Sequence, residues 1–228
     1  MRKYSVCVCM ATYNGINYIK SQIDSILPQL SARDEMVISD DGSTDGTLEF
    51  LKELEVKYNN VKVVKGPSKG ADANFFSLIR RASKDIVFIS DQDDIWSNTK
   101  IDDVCTVFAE NPDALVVLHE DTIRYEEKGI ELPCTPLRHG FLINLVKSSY
   151  SGHRMAFRKS FCEKIGPVDS RCMSYDQYLG LVAEKNKCTV FLNKKLDVHI
   201  MHGRNITRTL PIGQKIKLRW NLIQCMLA

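Results

Sequence analysis

The sequence predicts an α/β protein with a mostly parallel central sheet flanked by helices. Three observations carry the prediction. The first half repeats a strand, a turn rich in Gly or Asp, and a helix; its strand-like runs are short and apolar; and the first, second and fourth runs each end in a polar cluster. Strands alternating with helices form parallel sheets joined by right-handed crossovers. Such sheets bind ligands beyond the carboxyl ends of their strands, so the three clusters are expected on one edge.

Residues 4–10 alternate and are rich in Val and Cys, and Thr12-Tyr13-Asn14-Gly15 breaks the run. Within 17–30, Ile19, Ile23, Ile26, Leu27 and Leu30 recur at helical spacing. A strand at 35–39 leads to Asp40-Asp41-Gly42-Ser43-Thr44-Asp45-Gly46-Thr47, and Leu48, Leu51, Leu54 and Tyr58 then mark one side of a helix over 47–58. The third strand is expected at 61–64, the third helix at 74–82 and the fourth strand at 85–90. Beyond Trp96 the pattern loosens. Strands are expected at 115–119, 154–157 and 189–192, and helices at 159–165 and 178–183. Gly129, Pro133, Pro136 and Gly140 make 126–142 read as loop.

At 228 residues the chain can bury a sizeable core. Its 44% hydrophobic and 26% charged residues are ordinary for a globular protein, and a net charge of +3 is too small to argue for nucleic acid. No apolar stretch reaches membrane-spanning length, and Met1-Arg2-Lys3 runs into a strand rather than a signal peptide. Eight scattered cysteines without a Cys-x-x-Cys pair suit reduced thiols in the cytosol. Charge is uneven. Lys and Arg recur from Lys194 to Arg219 against the single acid Asp197, and from Pro211 basic and apolar positions alternate at loosely helical spacing. That tail suits either an anionic membrane surface or a basic helix packed on the domain.

The fourth strand, Ile86-Val87-Phe88-Ile89, ends in Ser90 and then Asp91-Gln92-Asp93-Asp94. Three carboxylates in four positions repel one another. A hard divalent cation removes that cost by binding one or two of them together with phosphate oxygens; a solvated acidic turn is the competing reading. After the second strand, Ser43 or Thr44 as N-cap with Asp45 in the first turn accounts for a helix entry. Asp40 and Asp41 precede that cap, where carboxylates can accept hydrogen bonds from a base N–H or ribose hydroxyls. Tyr13 either packs beside the Asn14-Gly15 turn or offers a ring face to a nucleobase. Gly70-Ala71-Asp72-Ala73-Asn74 opens a helix whose N-terminus could face a pyrophosphate, with Asn74 as a plain N-cap the alternative. The absence of Gly-x-Gly-x-x-Gly argues against a dinucleotide fingerprint.

In order and spacing, Ala11-Thr12-Tyr13-Asn14-Gly15, Asp40 to Asp45, Gly70 with Asn74, and Asp91-Gln92-Asp93-Asp94-Ile95-Trp96 together resemble the inverting family-two glycosyltransferases of the GT-A fold. The Ser-Asp-Gln-Asp-Asp-Ile-Trp form is most similar to the rhamnosyltransferase-like branch, which builds bacterial polysaccharides. Ser151-Gly152 with Ala156-Phe157-Arg158 resembles that branch's acceptor-side segment. Ser174-Tyr175-Asp176-Gln177 sits where the family has its catalytic carboxylate, and His202-Gly203-Arg204-Asn205 matches a His-Gly-x-Asn stretch. The resemblance implies a Rossmann-like, mostly parallel sheet with an elaborated acceptor-side half. One domain over 1–228 is then expected: a nucleotide-sugar half at 1–96, an acceptor half at 97–207 and a basic amphipathic segment at 208–228.

The resemblance also implies roles. Thr12, Tyr13 and one or both of Asp40 and Asp41 would hold the base, with Gly70 and Asn74 on the nucleotide side. Asp91 would meet the ribose or sugar, and Asp93 would hold Mg²⁺ or Mn²⁺ against the diphosphate with Asp94 in support. His202 would approach the metal or diphosphate, and Asp176 would be the general base. The partners implied are a nucleoside-diphosphate sugar and a glycan or lipid-linked acceptor, at the cytoplasmic face of the membrane. Elementary chemistry agrees about Asp176: transfer with inversion needs a base for the acceptor hydroxyl as an oxocarbenium-like carbon forms. N-capping the following helix is the plainer role, and a helix N-terminus would keep that carboxylate ionised.

This chain departs from the branch in having Tyr175-Asp176-Gln177 in place of His-Asp-Trp. Gln214 with Arg219-Trp220 has the wrong spacing for a processive synthase. A haloacid-dehalogenase-like phosphohydrolase also sets Asp-x-Asp at a strand end, but on the first strand rather than the fourth. A non-catalytic nucleotide-sugar-binding protein would not need Asp91, Asp93 and Asp176 together.

Overall fold

The alternation in the first half is realised as β1 (Val6–Thr12), α1 (Ile19–Ile26), β2 (Glu35–Asp40), α2 (Thr47–Lys57), β3 (Val61–Lys65), α3 (Ala71–Arg81) and β4 (Ile86–Ser90). The second half adds β5 (Asp94–Trp96), α4 (Lys100–Glu110), β6 (Val116–Tyr125), β7 (Ile130–Pro133), α5 (Phe141–Val146), β8 (Met155–Arg158), α6 (Tyr175–Lys185), β9 (Thr189–Met201) and α7 (Ile212–Leu227). This computed structural model describes residues 2–134, 136–166, 172, 174–203, 205 and 211–227. Arg204, residues 206–210 and Ala228, which belong to the basic stretch read from the sequence, lie outside them.

One sheet carries the strands in the order β3-β2-β1-β4-β8-β6-β9-β5, with β7 paired to β6. β1 pairs in parallel with both β2 and β4, and β2 with β3. β8 runs antiparallel between β4 and β6. β9 lies parallel to β6, with register shifts around Glu120, and β5 lies antiparallel to β9. That last pairing sets Asp94 opposite His199 and Trp96 opposite Asp197.

Strand alternation divides the core between the two faces of the sheet. Val6, Val8 and Met10 of β1 join Ile19, Ile23 and Ile26 of α1, Leu51 of α2 and Ile101, Val104 and Phe108 of α4. Cys7 and Cys9 face the other way, into Phe75, Leu78 and Ile79 of α3 and Tyr178 and Leu179 of α6. Because both faces are covered, β1, β2 and β4 read as nearly unbroken apolar runs. Each fully buried Val, Ile, Leu or Phe side chain contributes roughly 1.5–3 kcal/mol relative to exposure.

Several expectations change. The 126–142 stretch, read as loop, contains β7 and the start of α5. The last strand runs to Met201 rather than stopping at Leu192, and α4 fills a segment given no element. Residues 159–164 form a 3-10 turn, and α6 begins at Tyr175 rather than Tyr178. The caps also differ. Gly46, at φ 98°, caps α2 in place of Ser43 or Thr44, and Gly70, at φ 87°, caps α3 in place of Asn74. Ser174 caps α6, which puts Asp176 inside the first turn.

Candidate active site

The loops after β1, β2 and β4 meet at the carboxyl edge of the sheet. Thr12 Oγ1 donates to Asp40 Oδ2 at 3.0 Å, and the Asn14 amide donates to Ser43 Oγ at 2.8 Å. Gln92 clamps Tyr13 from the fourth strand: its Oε1 accepts the Tyr13 amide at 3.0 Å and its Nε2 donates to the Tyr13 carbonyl at 3.1 Å. The backbone is thus fixed while the Tyr13 ring stays 56% exposed, with a face free to stack on a base.

The two carboxylates after β2 have different positions. Asp40 is buried, and its oxygens accept from the Gly42 and Ser43 amides and from the Thr12 and Ser43 hydroxyls. Four bonds use its lone pairs, so Asp40 builds the loop. Asp41 is only partly buried and accepts the Ser68 and Gly70 amides at 2.6 and 3.0 Å, one on each oxygen. Each of its oxygens keeps a lone pair. Asn74 is buried in α3 and donates to the Ser39 carbonyl at 2.9 Å, tying α3 to the end of β2.

The acidic run after β4 splits in depth. Asp91 and Asp93 keep side-chain exposures of 30% and 15%, whereas Asp94 is fully buried. His202 Nε2 lies 3.0 Å from Asp93 Oδ2, and its ring stacks on Tyr18 at 4.2 Å. Burial, then repulsion from Asp91 and Asp94, pushes the Asp93 carboxyl up to about 6, with His202 opposing. The two are hydrogen-bonded at that distance, and a carboxylate beside an imidazole nitrogen is a pair of donors that could hold a divalent cation together. The donor set therefore fits a divalent cation.

Behind this edge lies a buried polar network that the sequence reading missed. His153 Nδ1 stands 3.5 Å from Asp91 Oδ2 and 3.6 Å from Asp94 Oδ2, while its Nε2 meets Asp121 Oδ2 at 2.9 Å. Burial alone would lower the His153 pKa, but Asp94, Asp121, Asp197 and Asp91 hold it well above the usual value. His199 Nδ1 meets Asp94 Oδ1 at 2.7 Å, and its ring stacks on His153 at 4.7 Å. Lys100 is fully buried and donates to the His153 carbonyl and to Asp197 Oδ2, both at 2.7 Å. Asp94, His153 and His199 form a second set able to hold a cation, and Asp121, His153 and Asp197 a third. The signal for β9 lay in Leu196-Asp197-Val198-His199-Ile200, which alternates at strand period.

Asp176 reaches the same region from α6. Its Oδ1 accepts from Ser174 Oγ at 2.9 Å and from the Gln177 amide at 2.7 Å. Burial first, and then repulsion from Asp72 and Asp91, lifts its carboxyl to about 6. Asp72, from the first turn of α3, accepts the Tyr175 amide at 2.7 Å, so the starts of α3 and α6 abut. Tyr175 stacks on Phe75 at 4.2 Å and fills the space over Gly152, where an added Cβ would fall 1.8 Å from its hydroxyl. Gly152→Ala is therefore expected to displace Tyr175, lowering stability by about 1–3 kcal/mol as overpacking does. Thermal unfolding checks this; an unchanged midpoint would show that the ring has room to move.

The sheet order, the flanking helices and this edge define an α/β protein of the GT-A class. The chain belongs to glycosyl transferase family 2, whose profile matches residues 7–166. It is 39% identical over 107 residues to the dTDP-rhamnosyl transferase RfbG of Shigella flexneri, covering 43% of this chain and 37% of that protein. It is 32% identical over 103 residues to the UDP-Glc:alpha-D-GlcNAc-diphosphoundecaprenol beta-1,3-glucosyltransferase WfgD of Escherichia coli, covering 45% and 40%. This chain thus spans well under two thirds of both relatives. The mannosyltransferase PcManGT of Pyrobaculum calidifontis, solved with GDP-Man and Mn²⁺, superposes with a TM-score of 0.67 at 17% identity, covering 98% of this chain and 73% of that one.

Proposed function

We propose that residues 1–228 form one inverting, metal-dependent glycosyltransferase domain. It moves a hexose or deoxyhexose, rhamnose among the candidates, from a nucleoside diphosphate to a glycan or lipid-linked acceptor in bacterial polysaccharide synthesis at the cytoplasmic membrane face. The observation that carries this reading is the placing of the hydrogen-bonded Asp93–His202 pair and of Asp176, in the first turn of α6, around the same Asp91, whose charge acts on both carboxyls. RfbG and WfgD, named for rhamnosyl and glucosyl transfer, support the sugar class and a diphosphate-lipid acceptor. PcManGT, which binds GDP-Man and Mn²⁺, supports the donor class and the cation.

The residues divide the work. Tyr13 stacks on the base and Asp41, with lone pairs to spare, accepts its N–H; Thr12 and Asp40 hold the loop that places them. Gly70 and Asn74 fix the start of α3 beside the donor, and Asp91 faces the ribose or sugar. Asp93 and His202 hold Mg²⁺ or Mn²⁺, and Asp94 anchors the acidic run through His199. The cation supplies positive charge that stabilises the departing diphosphate without a general acid. Asp176 takes the acceptor hydroxyl proton as the new C–O bond forms.

Asp93→Ala is expected to weaken Mn²⁺-dependent binding of nucleotide-sugars by more than about 100-fold, beyond the roughly 10–100-fold cost of losing an outer-shell partner. Calorimetry with UDP-, dTDP- and GDP-sugars reads this out directly. Undiminished metal-dependent binding would remove Asp93 from the site. Phosphate release from phosphomonoesters, without turnover of any nucleotide-sugar, would replace the transferase reading with a phosphohydrolase.

A further inference from the structure

We infer that the outer faces of α5 and α7 together form a docking surface for an anionic lipid bilayer, held beside the helix that carries Asp176. Helix α7 is apolar on two sides. Leu218, Leu222, Cys225 and Met226 pack on the core. Ile212, Ile216, Trp220, Ile223 and Leu227 follow at steps of four, four, three and four, which gathers them on one stripe of a helix with 3.6 residues per turn. That stripe points outward: Trp220 is 61% exposed and Leu227 79%. Lys215 and Lys217 flank Ile216 in sequence, which puts them about 100° to either side of the stripe.

Helix α5 extends the apolar surface with Leu142, 74% exposed, and with Ile143 and Val146. Arg219 joins the two helices by donating to the Val146 carbonyl from Nη2 at 2.7 Å and from Nε at 3.2 Å. Leu142, Leu145, Ile223 and Leu227 line an apolar groove between them.

Charge selects the occupant. Neither helix contains Asp or Glu, and lysines border the stripe on both flanks. Two copies of such a surface would bring like charges together. An anionic bilayer instead accepts the apolar stripe below its headgroups and pairs with the lysines. A Trp at the centre of the stripe suits the headgroup level. No helix among the described residues is long and apolar enough to cross a membrane, so contact would be at the surface.

The surface is coupled to the site through α6. Gln177, next to Asp176, donates from Nε2 to the Asn144 and Leu145 carbonyls of α5 at 2.7 and 3.1 Å. At the other end of α6, Glu184 Oε1 accepts the Gly140 amide that precedes α5. Docking would therefore hold Asp176 near a bilayer that carries a lipid-linked acceptor. That last link rests on the proposed transferase function; bilayer binding does not.

Sedimentation of the 228-residue chain with phosphatidylglycerol/phosphatidylcholine vesicles tests the inference. Binding is expected to exceed that to phosphatidylcholine alone by tenfold or more, and to weaken with salt. Ile216→Asp/Trp220→Asp and Lys215→Glu/Lys217→Glu should each reduce it at least tenfold while leaving circular dichroism unchanged. Absence of binding to anionic vesicles, binding by either variant equal to that of the parent chain, or a dimer in light scattering that fails to bind would overturn the docking surface. Because vesicle binding is read without turnover, failure of the transferase reading would appear separately, as binding without any nucleotide-sugar conversion.

Discussion

Asp176→Asn is expected to keep nucleotide-sugar affinity and lose transfer by about 10²–10⁴-fold, the range a positioned general base contributes. The substitution preserves the first turn of α6, because an amide oxygen still accepts from Ser174 Oγ and the Gln177 amide. It removes the basic lone pair. With the carboxyl lifted to about 6 by burial and by Asp72 and Asp91, transfer in the parent should rise with pH through about 6 and then level. The stability effect has the opposite sign. A carboxyl whose folded pKa exceeds its unfolded value near 3.8 stabilises the fold only while protonated, a contribution lost as pH rises through about 6. The Asn variant should therefore unfold at the same temperature as the parent or higher at neutral pH. Loss of transfer without loss of stability separates a base from a residue that only supports the helix. Full transfer by the Asn variant would end the assignment.

What the sequence revealed of this site was local. Tyr13, Asp40, Asp41, Asp91 and Asp93 each sit within a few residues of a strand end, and parallel β1, β2 and β4 carry those ends to one edge. The split between Asp40 and Asp41 was not legible. It depends on the Gly42 and Ser43 amides turning back onto Asp40, while Ser68 and Gly70, 27 and 29 residues away, reach Asp41. The same holds for His153, Lys100 and Asp197, which come together only when β9 pairs with β5 across a separation of about a hundred residues. Lys194 and Lys195 interrupt the alternation of β9 where its register against β6 shifts, so in sequence the strand reads as ending early. For α4 the spacing of Ile101, Val104, Cys105 and Phe108 was helical; the fully buried Lys100 at its start gave no apolar cue.

Lys100→Met should be the most destabilising single change, by about 3–5 kcal/mol, the cost of stranding one member of a buried ion pair. Lys100 has no exposed surface, and burial lowers its pKa against the pull of Asp197. Its ammonium also stands 4.1 Å over the Trp96 ring. With Met in its place, the Asp197 carboxylate, equally buried, loses its 2.7 Å ion pair. Among the described residues it keeps nearby only the longer-range charge of His153 and, at 3.9 Å, His119, whose imidazole pKa burial and Lys100 lower to about 3. A chain of this size loses about 2–4 °C of midpoint per kcal/mol, so a fall of roughly 6–20 °C is expected in thermal unfolding. Lys100→Met/Asp197→Asn removes the stranded charge and should recover most of it. Donor affinity should recover less, because the His153 carbonyl still lacks the lysine that holds it, and the His153 ring faces Asp91 and Asp94. Stability and affinity that return together in the double variant would mean that Lys100 serves only to neutralise Asp197. Stability that returns alone would place Lys100 among the groups that position the acidic run.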